Sequence, residues 1–194
     1  MPNHPSNFKW QESPPHLDLL EKFSKPRDVN QVITWHYIRQ SIGETTESAI
    51  ERFIQDGTLV PASLEETLEC IFQVAQLKKL LQERNLRLTG NKSELVERLV
   101  ISDRAGMEKV ARKGRVMKCS EMALEILSEY EKKRQLALDT ALKQSFNALK
   151  SNDSKAAYRI YANYQKAYIN PTFGSNSFQV EKMMYVLKYQ PKIL

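Results

Sequence analysis

Val74-Ala-Gln-Leu-Lys-Lys-Leu-Leu-Gln-Glu-Arg-Asn-Leu-Arg-Leu-Thr-Gly-Asn-Lys-Ser-Glu-Leu-Val-Glu-Arg-Leu99 is the stretch whose reading decides the fold of this 194-residue chain. Val74, Leu77 and Leu81 recur on one face of a helix, with Leu80 beside them. Asn85 stands where a left-handed stop residue belongs, and Leu86 can fold back on the helix end. Arg87 to Gly90 is too short and irregular for another helix. Asn91 then caps a second helix, with Glu94 at the spacing of a reciprocal capping box. Leu95, Val96, Leu99 and Val100 form the buried stripe of that helix. The unit expected is helix, extended loop, helix.

Upstream, Ser63 and Glu66 have the spacing of another capping box, and Thr58 to Pro61 is a short extended exit. Before it, one helical segment carries Val32, Ile33, Trp35 and Ile38 and ends at Ile42-Gly43. A second begins near Thr45-Thr46 and runs through Ile50, Phe53 and Ile54 to Gly57. Five of the eight prolines fall in residues 1–30, so the start of the chain reads as an irregular arm with a short helix around Leu17–Phe23. Downstream, Ile101 to Lys118 is a polar, basic connection in which Val116-Met117 makes a brief strand. Ser120 caps a long helix to about Lys150, roughly 45 Å at 1.5 Å per residue. Its charged turn, Glu131 to Gln135, crosses solvent. Ser151 to Ser154 is a turn, and a further helix with Tyr158, Tyr161, Tyr164 and Tyr168 stops at Asn170-Pro171. A last amphipathic helix is expected from Val180 to Leu187.

The expected fold is therefore mostly α: a small helical region containing the helix–loop–helix unit, followed by a long helical hairpin. The divisions are an arm (1–28), a helical region (29–71), the unit (72–101), a basic connector (102–119) and the C-terminal hairpin region (120–194). Composition agrees, with 41% hydrophobic and 27% charged residues and only 6 glycines. Two cysteines, Cys70 and Cys119, are too few for a disulfide framework. His4, His16 and His36 have no ligand spacing, so no metal site is expected. No apolar run reaches the ~20 residues of a membrane span, and no secretory signal is visible, so an intracellular, cytoplasmic protein is expected.

The net charge of +6 is made in the second half. Residues 1–64 hold 6 basic and 8 acidic side chains, and residues 65–103 hold 6 and 7. Residues 104–150 hold 11 and 6, and residues 151–194 hold 6 and 2. Such asymmetry points towards a polyanionic partner without naming it.

The run Leu77-Lys78-x-x-Leu81, followed by Gly90-x-Lys92-x-x-Leu95-x-x-Arg98-Leu99, resembles the SAP domain, a helix–extended loop–helix DNA-binding module. Val74, Arg84 and Leu86 also match. Asn85 stands where glycine is commonest, and Gln73 where a capping Thr or Ser is expected. A wider similarity to prokaryotic SAP-containing proteins, through a segment like Ala49–Pro61, brings no known activity. The resemblance implies double-stranded DNA as partner, read by shape and phosphate with A·T-rich preference, and a nucleoid location if the source is prokaryotic.

The residues themselves fit that implication. The exposed amides at Asn91–Ser93 form an anion site, and Lys92 adds a full charge. Thr89 and Asn91 can donate to a phosphate, Gly90 permits close approach, and Arg84, Arg87 and Arg98 widen the patch. The DNA-binding set expected is thus Arg84, Arg87, Thr89, Gly90, Asn91, Lys92, Ser93 and Arg98. The basic run Arg104–Lys118 reads either as a solvated connector or as a phosphate-tracking extension. The four tyrosines, at helical spacing opposite Leu138, Leu142, Phe146 and Leu149, read as hairpin core. No catalytic constellation, cofactor motif or metal cluster emerges, so a non-enzymatic binder is expected. The alternative is an interaction or assembly module using the C-terminal helices for a protein partner or self-association, with the SAP-like unit as scaffold.

Overall fold

A computed structural model describes residues 9–35, 42–112 and 114–168. The expected helix Val180–Leu187, the stop at Asn170-Pro171, Ile38, His4 and His36 lie outside these residues. The described elements are a 3-10 turn (Trp10–Glu12), α1 (Pro14–Glu21), β1 (Arg27–Asp28), α2 (Val29–Ile33), α3 (Thr46–Gln55), β2 (Leu59–Pro61), α4 (Leu64–Ile71), α5 (Val74–Gln82), α6 (Lys92–Ala111), β3 (Val116–Cys119), α7 (Glu121–Lys150) and α8 (Ser154–Tyr168). The chain is mostly helical, as its composition and periodicity imply. It divides into two compact units, one of residues 19–39 and 44–124, the other of residues 1–18, 40–43 and 125–194.

In the first unit, three short strands form an antiparallel sheet in the order β1-β3-β2. Arg27 pairs with Met117, and Leu59 pairs with Cys119, so β3 is the central strand. Each flanking helix starts at a side-chain cap. Asn30 N–H donates to Asp28 Oδ1 (3.0 Å), Ser48 N–H to Thr45 Oγ1 (3.1 Å) and Glu66 N–H to Ser63 Oγ (3.1 Å). Ser63 N–H donates back to Glu66 Oε2 (2.8 Å), which completes the box read from the sequence.

The helix–loop–helix unit does not close its core alone. Leu77 and Leu81 of α5 and Leu95, Val96, Leu99 and Val100 of α6 pack with Leu68 of α4 and Met107 at the far end of α6. Three expectations change here. Residues 102–111, read as the start of a connector, continue α6 through a kink at Asp103, whose φ is −151° and ψ 66°. Within the arm, residues 14–21 are helical, because Pro14 and Pro15 occupy the first turn, where a missing N–H has no helical partner to lose. The strand expected at Val116-Met117 runs to Cys119 and has neighbours on both sides. Cys119 is buried there, which pushes its thiol up to about 12.

In the second unit, α7 and α8 pack as an antiparallel pair. Ala141, Leu149, Ala157, Tyr161 and Tyr164 are buried, with Leu138, Leu142 and Tyr168 against them. Buried Ser145 donates from its hydroxyl to the Ala157 carbonyl (3.1 Å). Tyr158 departs from the expected tyrosine core. It is 36% exposed, because it lies one position off the 157–161–164–168 stripe.

Candidate nucleic-acid interface

The loop between α5 and α6 is held from three directions, each by a named interaction. α5 ends as the sequence predicts. Asn85 is left-handed (φ 54°), Asn85 N–H donates to Gln82 O (3.0 Å), and Leu86 N–H reaches back to Leu81 O (2.9 Å). These two bonds satisfy carbonyls that a helix end leaves open, and they seat half-buried Leu86 on the core. From the other side, Arg98 on the second turn of α6 grips the loop. Its Nη1 donates to the carbonyls of Arg87 (2.5 Å) and Thr89 (3.2 Å). Arg87 Nε in turn donates to Thr89 Oγ1 (2.6 Å). The loop is thus strapped to the helix it precedes.

The start of α6 carries the third constraint. Glu94 N–H donates to Asn91 Oδ1 (3.0 Å), and Asn91 N–H donates to Glu94 Oε2 (3.2 Å). The Asn91 amide also donates to Glu94 Oε1 (3.0 Å). Gly90 has a φ of 134°, a conformation that L side chains rarely adopt, and a Cβ there would collide with the Glu94 carboxylate.

The consequence for anion binding is specific. The amides of Asn91 and Glu94 are taken by the cap. Lys92 and Ser93 occupy the first two helical positions, whose N–H groups have no carbonyl partner within a helix, and no side chain among the described residues accepts from them. Lys92 itself has no carboxylate partner among the described residues, and the residue is half-buried. Thr89, Gly90, Asn91 and Ser93 are exposed. The geometry therefore brings Thr89, Gly90, Asn91, Lys92 and Ser93 together at one surface, with Arg87 on the same loop.

The remaining arginines have structural partners. Arg84 lies at the end of α5, and its Nη2 and Nε donate to Asp103 Oδ2 (2.7 and 3.1 Å) while Nη1 donates to Leu80 O (3.0 Å). Asp103 Oδ1 accepts from Gly106 N–H (2.9 Å), so Asp103 caps the part of α6 beyond the kink. The Arg84 guanidinium, with the Gly106 amide second, holds the Asp103 carboxyl below its ordinary value. Asp103 is the residue that reading for positive charge missed. The three-residue spacing from Asp103 to Gly106 was the available signal for it.

Three cations of the basic run 104–118 are paired with carboxylates in place. Arg104 faces Glu65 (3.8 Å) and Glu108 (3.2 Å), and Lys118 pairs with Glu66 (2.8 Å). Arg115 meets both oxygens of Glu51 (2.5 and 2.9 Å) and lowers that carboxyl, with its own guanidinium held more firmly charged. Lys109 acts on the Asp103 carboxylate through space without an ion-pair contact, and Arg112 has no carboxylate partner among the described residues. Arg115 and Lys118 thus brace α3, α4 and the sheet, a role that neither of the run's two readings anticipated.

Residues 72–104 match the SAP domain. The matched segment covers α5, the strapped loop and α6 as far as its kink, and it includes Asp103, the partner of Arg84. The SAP domain is a DNA-binding module, not a catalytic one, and the match supports a nucleic-acid-binding role for this chain. No curated protein and no solved structure matches the chain. Among the described residues, no group of His, Cys, Asp and Glu could hold a metal ion, and no helix is long and apolar enough to cross a membrane.

Proposed function

We propose that the chain is a non-enzymatic, sequence-tolerant binder of double-stranded DNA, using the loop and first turn of α6 within its SAP segment. The observation that carries this reading is Lys92 at the first helical position, beside two amides free to donate and inside the SAP match. A phosphate oxygen at the Lys92 and Ser93 N–H groups gains the partial positive charge of the helix start and a full charge from Lys92. Thr89 and Arg87 extend the contact along the backbone. Arg98 acts as a positioning residue, since its donors are engaged by loop carbonyls. Phosphate contact of this kind reads groove shape more than base identity, which favours A·T-rich duplex with its narrow minor groove. A DNA partner also places the protein inside the cell.

A few phosphate contacts give weak binding, around 10⁻⁴–10⁻⁶ M near physiological salt. The test titrates fluorescent A·T-rich and G·C-rich duplexes with wild type and Lys92→Glu at low salt. Wild type binding both, the A·T-rich duplex more tightly, with Lys92→Glu weaker on each, is the expected result. No binding by wild type defeats the function. Unchanged binding by folded Lys92→Glu defeats the site.

A second reading, self-association or a protein partner through the C-terminal helices, is favoured by one feature. Leu136 is 68% exposed beside a groove of about 580 Å³ lined by Ala137, Thr140, Gln144, Ile160 and Ala167. Light scattering of the full chain checks it: a concentration-independent monomer, with Leu136→Glu unchanged in mass, removes self-association.

A further inference from the structure

The charge asymmetry of the sequence is not explained by the SAP segment, since residues 65–103 hold 6 basic and 7 acidic side chains. Part of the excess lies on the hairpin. From Thr140 to Tyr168 there are five basic side chains and one acidic, Asp153. The Asp153 carboxylate is engaged as the cap of α8, accepting from Ala156 N–H (2.9 Å). α8 itself carries Lys155, Arg159 and Lys166 and no acidic residue.

These three cations share one face. At 3.6 residues per turn they fall within about 40° of one another, spread over ~16 Å of helix. Tyr161 and Tyr164, on the opposite side, are buried against α7. Lys155, Arg159 and Lys166 are exposed, as is Ala162 between them, and none has a carboxylate partner among the described residues. A like-charged stripe on an ordered helix is electrostatically unfavourable in isolation, and an external polyanion relieves it.

We propose that the outer face of α8 is a second nucleic-acid contact, in which Lys155, Arg159 and Lys166 take successive backbone phosphates of duplex DNA. Two observations select this occupant. An interfacial membrane helix must offer a large apolar face to lipid, and the apolar face of α8 is already buried in the hairpin. The choice of nucleic acid over an acidic protein rests on the SAP segment being a DNA-binding module. The site itself is separate, since it uses none of the same residues.

The test is the salt dependence of duplex binding by the full chain, comparing wild type, Lys92→Glu and the triple variant Lys155→Gln, Arg159→Gln, Lys166→Gln. Glutamine keeps helix propensity at exposed positions, and circular dichroism verifies the fold. Each phosphate contact contributes about 0.9 to the slope of log K against log salt. The triple variant is expected to lose about 2–3 from the slope and at least tenfold in affinity at low salt. The single Arg159→Gln variant is expected to lose about one contact's worth, and it serves if the triple variant is unstable. A wild-type slope in both variants overturns the proposal. If Lys92→Glu weakens binding while the triple variant does not, the SAP reading stands and this one fails. The reverse pattern keeps this contact and removes the loop site. Wild type binding phosphatidylserine vesicles, with that binding lost in the triple variant and duplex binding retained, also overturns it.

Discussion

In the SAP segment the chain leaves α5 through left-handed Asn85 (φ 54°), with Leu86 N–H reaching back to Leu81 O. In the hairpin it leaves α7 through left-handed Asn152 (φ 60°), with Asp153 N–H reaching back to Ala148 O. The stop chemistry is the same to the bond. The two chains of events part immediately after it. Asp153 is at once the closing residue of one helix and the cap of the next, so the two helices fold directly against each other. After Leu86, the next cap is Asn91, and the residues between them form no helix under the grip of Arg98. A helix stop alone makes a hairpin. A stop with a delayed cap makes an exposed loop, and that delay creates the candidate site.

The strongest way to separate the two regions is to remove one core. Leu95 is fully buried among α4, α5 and α6, and Leu95→Ala is expected to cost about 2–5 kcal/mol of stability in the first unit. Urea unfolding followed by the amides of residues 72–111 should show the loss, while the amides of the hairpin core keep their own midpoint. Equal loss in both regions contradicts the division into units.

Next in size is the shared stop. Asn85→Ala and Asn152→Ala should each cost about 1–2 kcal/mol, because alanine meets the left-handed penalty without the side-chain compensation of asparagine. The glycine variants should be neutral or stabilising. A large difference between the two sites would break the equivalence of the stops.

A smaller effect sharpens the role of the strap. Arg98→Lys keeps the charge but loses the planar fork that reaches two carbonyls. We expect faster amide exchange at Leu88 to Gly90 and severalfold weaker duplex binding, with the salt slope unchanged. A reduced slope would mean that Arg98 contacts phosphate directly.

The smallest effect concerns Asp103. Its folded-state carboxyl lies below its ordinary value, so its pairing stabilises above the unfolded carboxylate range and is lost as pH falls through the lower folded value. Wild type should exceed Asp103→Asn in urea midpoint at pH 7, and the two should converge as pH drops below ~4. A difference that persists at low pH would assign the effect to the kink's backbone instead of the ion pair.

Much of the molecule was legible in the sequence because it is local. The left-handed asparagine, the boxes at Ser63–Glu66 and Asn91–Glu94, and the stripe Leu95–Leu99 each depend on residues within a turn or two. The sheet was not legible, since Arg27 and Leu59 reach β3 across long separations and no periodicity records that pairing. The continuation of α6 was hidden by polarity, as only Met107, Val110 and Ala111 carry the core there. The candidate site was legible as a set of cations and amides, but charge alone could not tell Lys92 from Arg84. Their difference is a carboxylate nineteen positions away, Asp103, that meets Arg84 only after α6 folds across α5.

The most direct measurement of the central claim is amide chemical-shift mapping of the full chain during titration with an A·T-rich duplex. The largest shifts are expected at Gly90, Lys92 and Ser93, smaller ones at Arg87 and Thr89, and little movement at the Arg84–Asp103 clamp. Saturable binding with shifts confined to other surfaces, and none from Arg87 to Ser93, would contradict it.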